Sequence, residues 1–248
     1  IAIYCGSGIG NDEIIINASI QLGKILALNN IRLIYGGASI GIMGALADSC
    51  LAHGGKVIGV LPKFMQNKEI THPHLTELHL VDSMHERKAL MVSLSNGFIA
   101  LPGGIGTLDE LFETWTWQRL GLHKNPIGLL NINHYYDSLI TFLNEVTEKQ
   151  LLTKEILNNL HVDHNPHALI SKLLTITASP ETKKLDNLEE SIEVNREDVI
   201  HHESTPENVL PQGAVTVWVK QGADVAVKLD RVAAIDKVDL KRGRLRIR

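Results

Sequence analysis

The sequence is poor in several features that mark specialised classes of protein. It has only two cysteines in 248 residues, too few for the disulfide framework of a small secreted domain. It also has no strong excess of one charge, because 24 Lys and Arg residues face 28 Asp and Glu residues for a net charge of −4. A domain that binds nucleic acid usually carries a basic excess. We therefore expect a cytoplasmic protein without a specific nucleic-acid partner.

Long apolar runs are also missing. The longest uncharged stretch, residues 89–108, has about the length of a membrane span, but it contains Pro102, four glycines, Asn96 and two serines. This composition predicts a strand and a loop, so no membrane segment is expected. No basic leader stands before the first apolar residues, and no signal peptide is expected either.

What is present is an ordinary globular composition, with 44% hydrophobic residues. The charge is unevenly spread: residues 1–178 carry a net charge of −3, residues 181–207 carry −6 and residues 208–248 carry +5. The acidic stretch has the composition of a linker. We predict one main domain over residues 1–178 and an appendage over residues 179–248.

The appendage alternates apolar and polar residues in two short runs, 215–219 and 225–229, separated by Gln-Gly-Ala-Asp. This pattern predicts a small β-hairpin. About 40 residues make a poor independent core, so we expect the appendage to be partly disordered or docked on the main domain. Its basic end, 241–248, could contact a polyanion, although a solvated tail is the simpler interpretation.

Residues 1–178 alternate short Ile-, Leu- and Val-rich runs with helical patterns. Strands are predicted at 1–4, 31–35, 56–61, 75–81, 97–101 and 127–130, and helices at 17–29, 43–53, 83–95, 108–120, 136–150 and 166–174. This alternation is typical of an α/β domain with a parallel sheet covered by helices on both faces. Ligands of such domains bind at the carboxyl ends of the strands, and three Gly-rich loops fall at these ends: 6–10, 36–41 and 102–107.

The loops do not match the common nucleotide-binding patterns. Gly6 and Gly8 fit the start of G-x-G-x-x-G, but Asn11 occupies the third glycine position, and the second strand ends at Tyr35 without an acidic residue for a ribose. No G-x-x-x-x-G-K-[ST] motif is present. Three glycine loops at one edge therefore favour a mononucleotide over a dinucleotide or a nucleoside triphosphate.

The loop with the most informative sequence is Pro-Gly-Gly-Ile-Gly-Thr-Leu-Asp-Glu, residues 102–110. Its glycines allow the backbone to approach a ligand, and Thr107 is predicted to cap the following helix, whose N-terminus can bind phosphate. The alternative is a plain capping box between Thr107 and Glu110. Leu108, Leu111, Phe112 and Trp115 form a helical stripe that is predicted to be core.

A second motif is Ser-Met-His-Glu-Arg-Lys, residues 83–88. The forked guanidinium of Arg87 can hold a phosphate or the edge of a purine. The alternative is a solvated charged turn. The twelve histidines show no zinc-binding spacing, so no metal is expected.

Taken together and in order, five motifs resemble one known family. They are Tyr-Cys-Gly-Ser (4–7), Tyr-Gly-Gly-Ala-Ser-Ile-Gly-Ile-Met-Gly (35–44), Val-Ile-Gly-Val-Leu-Pro (57–62) and the two motifs at 83–88 and 102–110. The sequence is similar over residues 1–178 to the LOG ("lonely guy") family of cytokinin riboside 5′-monophosphate phosphoribohydrolases, once mislabelled lysine decarboxylases. The resemblance implies a Rossmann-like fold.

The resemblance also implies hydrolysis of the N-glycosidic bond of an AMP-like nucleotide, which yields the free base and ribose 5-phosphate. Arg87 and Glu110 match the catalytic pair of the family. Such cleavage builds positive charge on the sugar. Glu110 could stabilise that charge, position the 2′-hydroxyl or take a proton from water, while Arg87 could hold the phosphate or the leaving purine; the sequence leaves these roles open.

By the same resemblance, the substrate-binding residues are Gly6, Ser7, Gly36, Gly37, Met84, Lys88, Gly103, Gly104, Gly106 and Thr107. The resemblance implies no cofactor. It also implies that the protein is a homodimer. Cys5 is expected in the pocket wall. Two alternatives stay open: a non-catalytic nucleotide or cofactor carrier of the same fold, and a regulatory module whose tail recruits a partner.

Overall fold

The computed structural model describes residues 1–8, 10–66 and 71–177, together with the backbone of six strands between residues 191 and 247. The chain divides into two compact units, Ile1–Ser179 and Pro180–Arg248. The division falls one residue beyond the boundary predicted from the change of composition.

The first unit is built on a parallel sheet. Within the described residues the sheet has seven strands in the order β4-β3-β2-β1-β5-β6-β7, and every neighbouring pair is parallel. The strands are β1 (Ala2–Tyr4), β2 (Leu33–Tyr35), β3 (Val57–Pro62), β4 (Glu77–Val81), β5 (Phe98–Ala100), β6 (Ile127–Leu130) and β7 (Leu160–Asp163). The predicted α/β class is confirmed.

Helices connect these strands. They are α1 (Glu13–Leu28), α2 (Gly41–Ala52), α3 (Lys63–Gln66), α4 (Met84–Ser93), α5 (Ile105–Arg119), α6 (Asp137–Glu148), α7 (Lys154–Asn158) and α8 (Pro166–Thr177). The chain winds outward from β1 through β2 to β4, then returns to β5 on the other side of β1. The order of the strands therefore reverses between β1 and β5, and a crevice opens at their carboxyl ends, where ligands bind in such folds.

Each face of the sheet has its own hydrophobic core. On β1, Ile3 packs with the buried residues of α1, α2 and α8, whereas Ala2 and Tyr4 pack on the opposite side with those of α4, α5 and α6. Because successive side chains of a strand point to opposite faces, a strand buried on both faces is apolar at every position. This is why the central strands were recognisable from sequence.

Two predicted helix starts were wrong. Helix α1 begins at Glu13, four residues before the prediction, because the carboxylate of Asp12 accepts a hydrogen bond from the Ile14 N–H and caps the helix. Helix α5 begins at Ile105, and Gly104 is its N-cap residue, without a capping side chain. Thr107 therefore lies inside the first turn, and neither the predicted Thr107 cap nor the capping box with Glu110 exists.

The sequence analysis also missed α3, α7 and β7. Strand β7 pairs with β6 at the edge of the sheet and is only partly buried, and it contains His161 and Asp163. Its polar residues hid it from a search for apolar runs. Among the described residues, no helix is long and apolar enough to cross a bilayer.

In its described residues, the second unit has six strands with antiparallel pairing: β8 (Ser191–Val194), β9 (Val199–Ser204), β10 (Val215–Val219), β11 (Val225–Lys228), β12 (Ile235–Asp239) and β13 (Arg244–Ile247). The predicted hairpin would pair β10 with β11. Instead β10 pairs with β9 and β13, and β11 pairs with β8. Two stretches of the acidic segment predicted to be a linker form β8 and β9 instead, whereas residues 181–190, 195–198 and 205–207 of that segment and part of the basic end lie outside the described residues.

Candidate active site

A cavity of about 430 Å³ lies at the carboxyl ends of β1, β2, β3 and β5. The loops after these strands and the first turns of α4 and α5 surround it. Nine of the residues singled out in the sequence line it: Gly6, Ser7, Gly36, Met84, Arg87, Gly104, Gly106, Thr107 and Glu110. The fold thus brings together motifs that are separated by as many as 100 residues.

Arg87 and Glu110 form a buried ion pair in this cavity. Nη1 of Arg87 lies 3.0 Å from Oε1 of Glu110, and the two side chains are only 9% and 7% exposed. Nε of Arg87 donates a hydrogen bond of 3.0 Å to the carbonyl oxygen of Val60, at the end of β3. The guanidinium is therefore fixed by two contacts from two different elements, which excludes the solvated charged turn as its environment.

The glycine at position 36 makes room for this arginine. A Cβ atom built on Gly36 would collide with Nη2 of Arg87 and come within 3.3 Å of the end of the Met43 side chain. Only glycine allows the backbone after β2 to approach the guanidinium this closely. Nη2 thus faces the second glycine loop, whose Gly36 lines the cavity.

The environment of Glu110 pulls its pKa in both directions. Burial raises the pKa of the Glu110 carboxyl and is the largest influence, the positive charge of Arg87 lowers it, and the negative charge of Asp109 raises it again. The resulting pKa lies above the usual range of a glutamate. Such a carboxyl is better suited to accept and return a proton near neutral pH than an exposed one.

The loop before α5 presents backbone donors to the cavity. The N-cap residue, Gly104, has no side chain, so no side chain at that position accepts a hydrogen bond from the first N–H groups of α5. Thr107 is buried, and its hydroxyl packs against Gly103, where a Cβ atom would collide with it. Unpaired N–H groups and the positive end of the helix dipole attract an anion such as phosphate.

The structure places three of the predicted binding residues away from this cavity lining. Gly37 has φ +82° and lies against Gly59 and Leu61, and its carbonyl accepts the His72 N–H. Gly103 lines a neighbouring cavity of about 260 Å³ together with Tyr135. The Lys88 ammonium forms ion pairs with two carboxylates of α5, Asp109 at 3.1 Å and Glu113 at 2.9 Å.

The sequence analysis missed most of the apolar wall. Six apolar residues that were not predicted line the cavity: Ala38, Ile40, Met43, Leu61, Met65 and Ile105. Each lies in or next to a glycine loop or a strand end, and this position in the sequence could have identified them. The predicted position of Cys5 in the wall agrees with the structure. Burial raises the pKa of its thiol well above the usual range, so Cys5 is a poor nucleophile. Within the part of the chain that the structure describes, no cluster of three or more His, Cys, Asp or Glu residues could hold a metal ion.

Comparison with known proteins identifies the family. A family profile described as "Possible lysine decarboxylase" matches residues 43–173. The "Cytokinin riboside 5′-monophosphate phosphoribohydrolase LOG1" of Arabidopsis thaliana is 46% identical over 153 residues, 62% of this chain and 72% of that protein. The "Probable cytokinin riboside 5′-monophosphate phosphoribohydrolase LOGL6" of Oryza sativa subsp. japonica is 41% identical over 173 residues, 70% of this chain and 69% of that protein. The chain belongs to the LOG family.

Solved structures support the fold of this LOG protein. The molybdenum cofactor binding protein of Rippkaea orientalis superposes with a TM-score of 0.56 at 21% identity, covering 71% of this chain and 96% of that one. The molybdenum cofactor carrier protein of Chlamydomonas reinhardtii gives a TM-score of 0.54 at 19% identity, with 72% and 97% covered. At this level of identity the likeness shows a shared architecture.

Proposed function

We propose that this protein hydrolyses the N-glycosidic bond of AMP-like nucleoside 5′-monophosphates and releases the free base and ribose 5-phosphate. The observation that carries the proposal is the buried pair of Arg87 and Glu110 inside a cavity built from glycine loops. Relatives named as phosphoribohydrolases, 41–46% identical, support it.

Glu110 is the group that acts on the sugar. Breaking the bond between C1′ and the base nitrogen leaves positive charge on the ribose, and a carboxylate held beside C1′ stabilises that charge. The same carboxylate can take a proton from the water that attacks C1′. Both roles require Glu110 to be ionised: burial opposes that form, and the adjacent Arg87 favours it.

Arg87 has a holding role. Two of its nitrogens are engaged, Nε by Val60 and Nη1 by Glu110, so the Glu110 carboxylate cannot rotate freely. Nη2, which faces Gly36, is placed to contact the substrate at the leaving base or the ribose. We assign the 5′-phosphate to the glycine loop and the first turn of α5, where Gly104, Gly106 and Thr107 line the cavity.

The wall of the cavity suits a base that carries an apolar substituent. Ile40, Met84 and Ile105 all line the cavity, yet they are 45%, 37% and 89% exposed. An apolar group attached to N6 of adenine would cover these side chains and remove their surface from water. We therefore propose N6-modified AMP, the cytokinin type of nucleotide, as a substrate in addition to AMP.

The carrier alternative is not favoured. The carriers share the fold at 19–21% identity, about half the identity of the phosphoribohydrolases. A carrier has no need of a buried carboxylate that is ion-paired inside the cavity, because burying charges costs free energy.

Incubation of the purified protein with AMP, N6-isopentenyl-AMP and adenosine tests the proposal, with free base and ribose 5-phosphate measured by chromatography. We expect equal amounts of base and ribose 5-phosphate from both nucleotides and little release from adenosine, which lacks the phosphate. Tight binding of AMP without release of adenine would contradict the proposal and support a carrier.

We also propose that the protein is a cytoplasmic homodimer. On α5, Trp115 is buried whereas Trp117 is only half-buried, and Leu120 and Leu122 beyond it are exposed. A second copy would cover this apolar surface. Both cysteines are buried and free, which suits a reducing compartment. Sedimentation equilibrium checks the dimer. We expect the wild-type protein to be a dimer, and we expect Leu122→Asp to dissociate more readily into monomers.

A further inference from the structure

Two consecutive tyrosines donate hydrogen bonds to the backbone of the segment that leads from β5 into α5. The hydroxyl of Tyr135 donates a hydrogen bond of 2.7 Å to the carbonyl oxygen of Gly103. The hydroxyl of Tyr136 donates one of 2.6 Å to the carbonyl oxygen of Leu101. Both follow β6, and neither lines the cavity that contains Arg87 and Glu110.

The bond from Tyr135 fixes the orientation of one peptide group. The described residues contain no cis peptide bond, and in a trans peptide the C=O and the N–H point in opposite directions. The Gly103 carbonyl points to Tyr135, in the neighbouring cavity that both residues line. The N–H of the same peptide belongs to Gly104, so it points away from the Tyr135 hydroxyl, and Gly104 lines both this neighbouring cavity and the active-site cavity.

The segment that carries Tyr135 is itself well anchored. Asn133 and His134 adopt left-handed backbone conformations, with φ of +48° and +61°. The Asn133 side chain donates a hydrogen bond of 2.8 Å to Asp12, and that of Asn131 accepts the Tyr136 N–H at 2.7 Å. Strained residues of this kind persist where the surroundings hold them, and they occur often at functional sites.

Position 103 cannot carry a side chain unless the loop rearranges. A Cβ atom on Gly103 would collide with the Thr107 hydroxyl and lie 2.8 Å from the Gly6 nitrogen. The loop is therefore packed tightly on the side of Thr107 and Gly6, while a Cβ atom on Gly104 would meet open space. An unsupported peptide between these two glycines could turn over at small cost, because glycine tolerates both orientations.

We propose that Tyr135 is a positioning residue for the phosphate subsite: its hydroxyl holds the Gly103–Gly104 peptide so that the Gly104 N–H binds the 5′-phosphate of the substrate. The proposal rests on the proposed function, since it concerns the recognition of a nucleoside 5′-monophosphate by the same loop. Tyr135 does not touch the substrate. It acts through the backbone of the loop.

Kinetics of Tyr135→Phe test the proposal, because this substitution removes only the hydroxyl. We expect KM for AMP to rise about tenfold, the size of one lost hydrogen bond to a charged group, with kcat changed by less than about twofold. Competitive inhibition by ribose 5-phosphate should weaken by the same factor, and inhibition by adenine should not change. An unchanged KM, or equal weakening of both inhibitors, would overturn the proposal.

Tyr136→Phe is the matched control. It removes the same atom from the next residue, but the lost bond goes to Leu101, before the glycine loop. We expect a lower melting temperature with KM for AMP unchanged. If Tyr136→Phe raised KM as much as Tyr135→Phe, the effect would be general loosening and the assignment to Tyr135 would fail.

Calorimetric titration separates this proposal from the proposed function. If the wild-type protein hydrolyses no 5′-monophosphate, the proposed function fails, yet the binding of AMP and of adenosine can still be compared. Weaker binding of AMP by Tyr135→Phe, with adenosine unaffected, would support the role of Tyr135 without any catalysis. Equal effects on AMP and adenosine would contradict it.

Discussion

Two ion pairs join the same two helices, α4 and α5, and they have different environments. Arg87 and Glu110 are 9% and 7% exposed and line the active-site cavity. Lys88 follows Arg87 on α4, and Asp109 precedes Glu110 on α5; their side chains are 11% and 57% exposed. Glu113 also pairs with Lys88, and these three residues form the outer cluster. Neighbouring helix residues point about 100° apart, so a shift of one residue on both helices moves the contact from the cavity to the surface.

The comparison teaches that burial decides what an ion pair can do. The outer cluster is partly exposed to water, where ion pairs contribute little to stability. The inner pair is desolvated, so each charge depends on the other: Arg87 opposes the effect of burial on the Glu110 carboxylate and holds it in the cavity. The outer cluster cross-links the helices that carry the inner pair. Four substitutions and their matched controls probe this division.

The largest effect is expected from Glu110→Gln. Because the amide can neither take a proton nor stabilise a cation by charge, turnover of AMP should fall about 10²–10⁴-fold, the scale of a positioned acid–base group. The fold and the binding of AMP should be kept, as Gln can still accept from Arg87, although the melting temperature should fall because the buried guanidinium loses its counter-charge. The measurement is single-turnover release of adenine with calorimetric binding of AMP.

Glu113→Gln is the control, since Glu113 lies on the same helix but pairs with Lys88. Its turnover should stay within about threefold of wild type, because it lies in the outer cluster. A loss in Glu113→Gln as large as in Glu110→Gln would contradict the division between the inner and outer pairs.

Arg87→Met should show the largest loss of stability. It leaves Glu110 buried without its partner, which costs about 3–5 kcal/mol for a buried pair. The pKa of Glu110, already raised by burial, should rise further without the positive charge. Because the folded protein then binds a proton more tightly than the unfolded chain, its stability should fall as pH rises through this pKa.

Urea unfolding at pH 5 and pH 8 measures this effect. We expect Arg87→Met to lose more free energy of unfolding at pH 8 than at pH 5. Adding Glu110→Gln to Arg87→Met should recover part of the loss at pH 8 without restoring activity. A double variant as unstable as the single one at both pH values would show that the lost contacts, such as the bond to Val60, matter more than the unpaired charge.

The sequence was most informative where all residues of a strand or loop are of one chemical type. The apolar strands and glycine loops predicted the parallel sheet and the edge that carries the site, because a strand buried on both faces leaves few other interpretations. The ordered motifs predicted Arg87 and Glu110 as a pair, and the fold places them 3.0 Å apart. Helix starts were harder: Thr107 matches a capping box, but the glycines let the helix begin earlier, at Ile105.

Contacts that depend on the order of strands could not be predicted. Lys88 follows Arg87 in one motif, so it was expected at the substrate, and only the phase of α4 shows that it turns toward α5. Tyr135 is 32 residues from Gly103, and the two meet because β6 lies beside β5 in the sheet. No local pattern in the sequence encodes this neighbourhood.

Lys88→Met should have an intermediate effect, visible in the pH dependence of kcat/KM. The groups that act on the ionisation of Glu110 are Arg87 and Lys88 of α4 and Asp109 of α5. Tyr4, at the end of β1, and Cys5, just after it, lie nearby. Since the positive charge of Lys88 lowers the pKa of Glu110, removing it should move the acid limb of the profile to higher pH. Activity below that limb should fall a few-fold, whereas Lys88→Arg should keep the wild-type profile.

Asp109→Asn should cost the least activity, because it should move the pH profile in the opposite direction to Lys88→Met. The negative charge of Asp109 raises the pKa of Glu110, so its removal should move the acid limb of kcat/KM to lower pH. Asp109 acts on the pKa of Glu110 more strongly than Lys88 does, but its side chain is 57% exposed, so water and salt screen this influence. Profiles recorded at about 20 mM and about 300 mM salt check this: the shift should shrink at high salt as screening grows. Shifts of the same sign in both variants would mean that the outer cluster acts on Glu110 through helix position and not through charge.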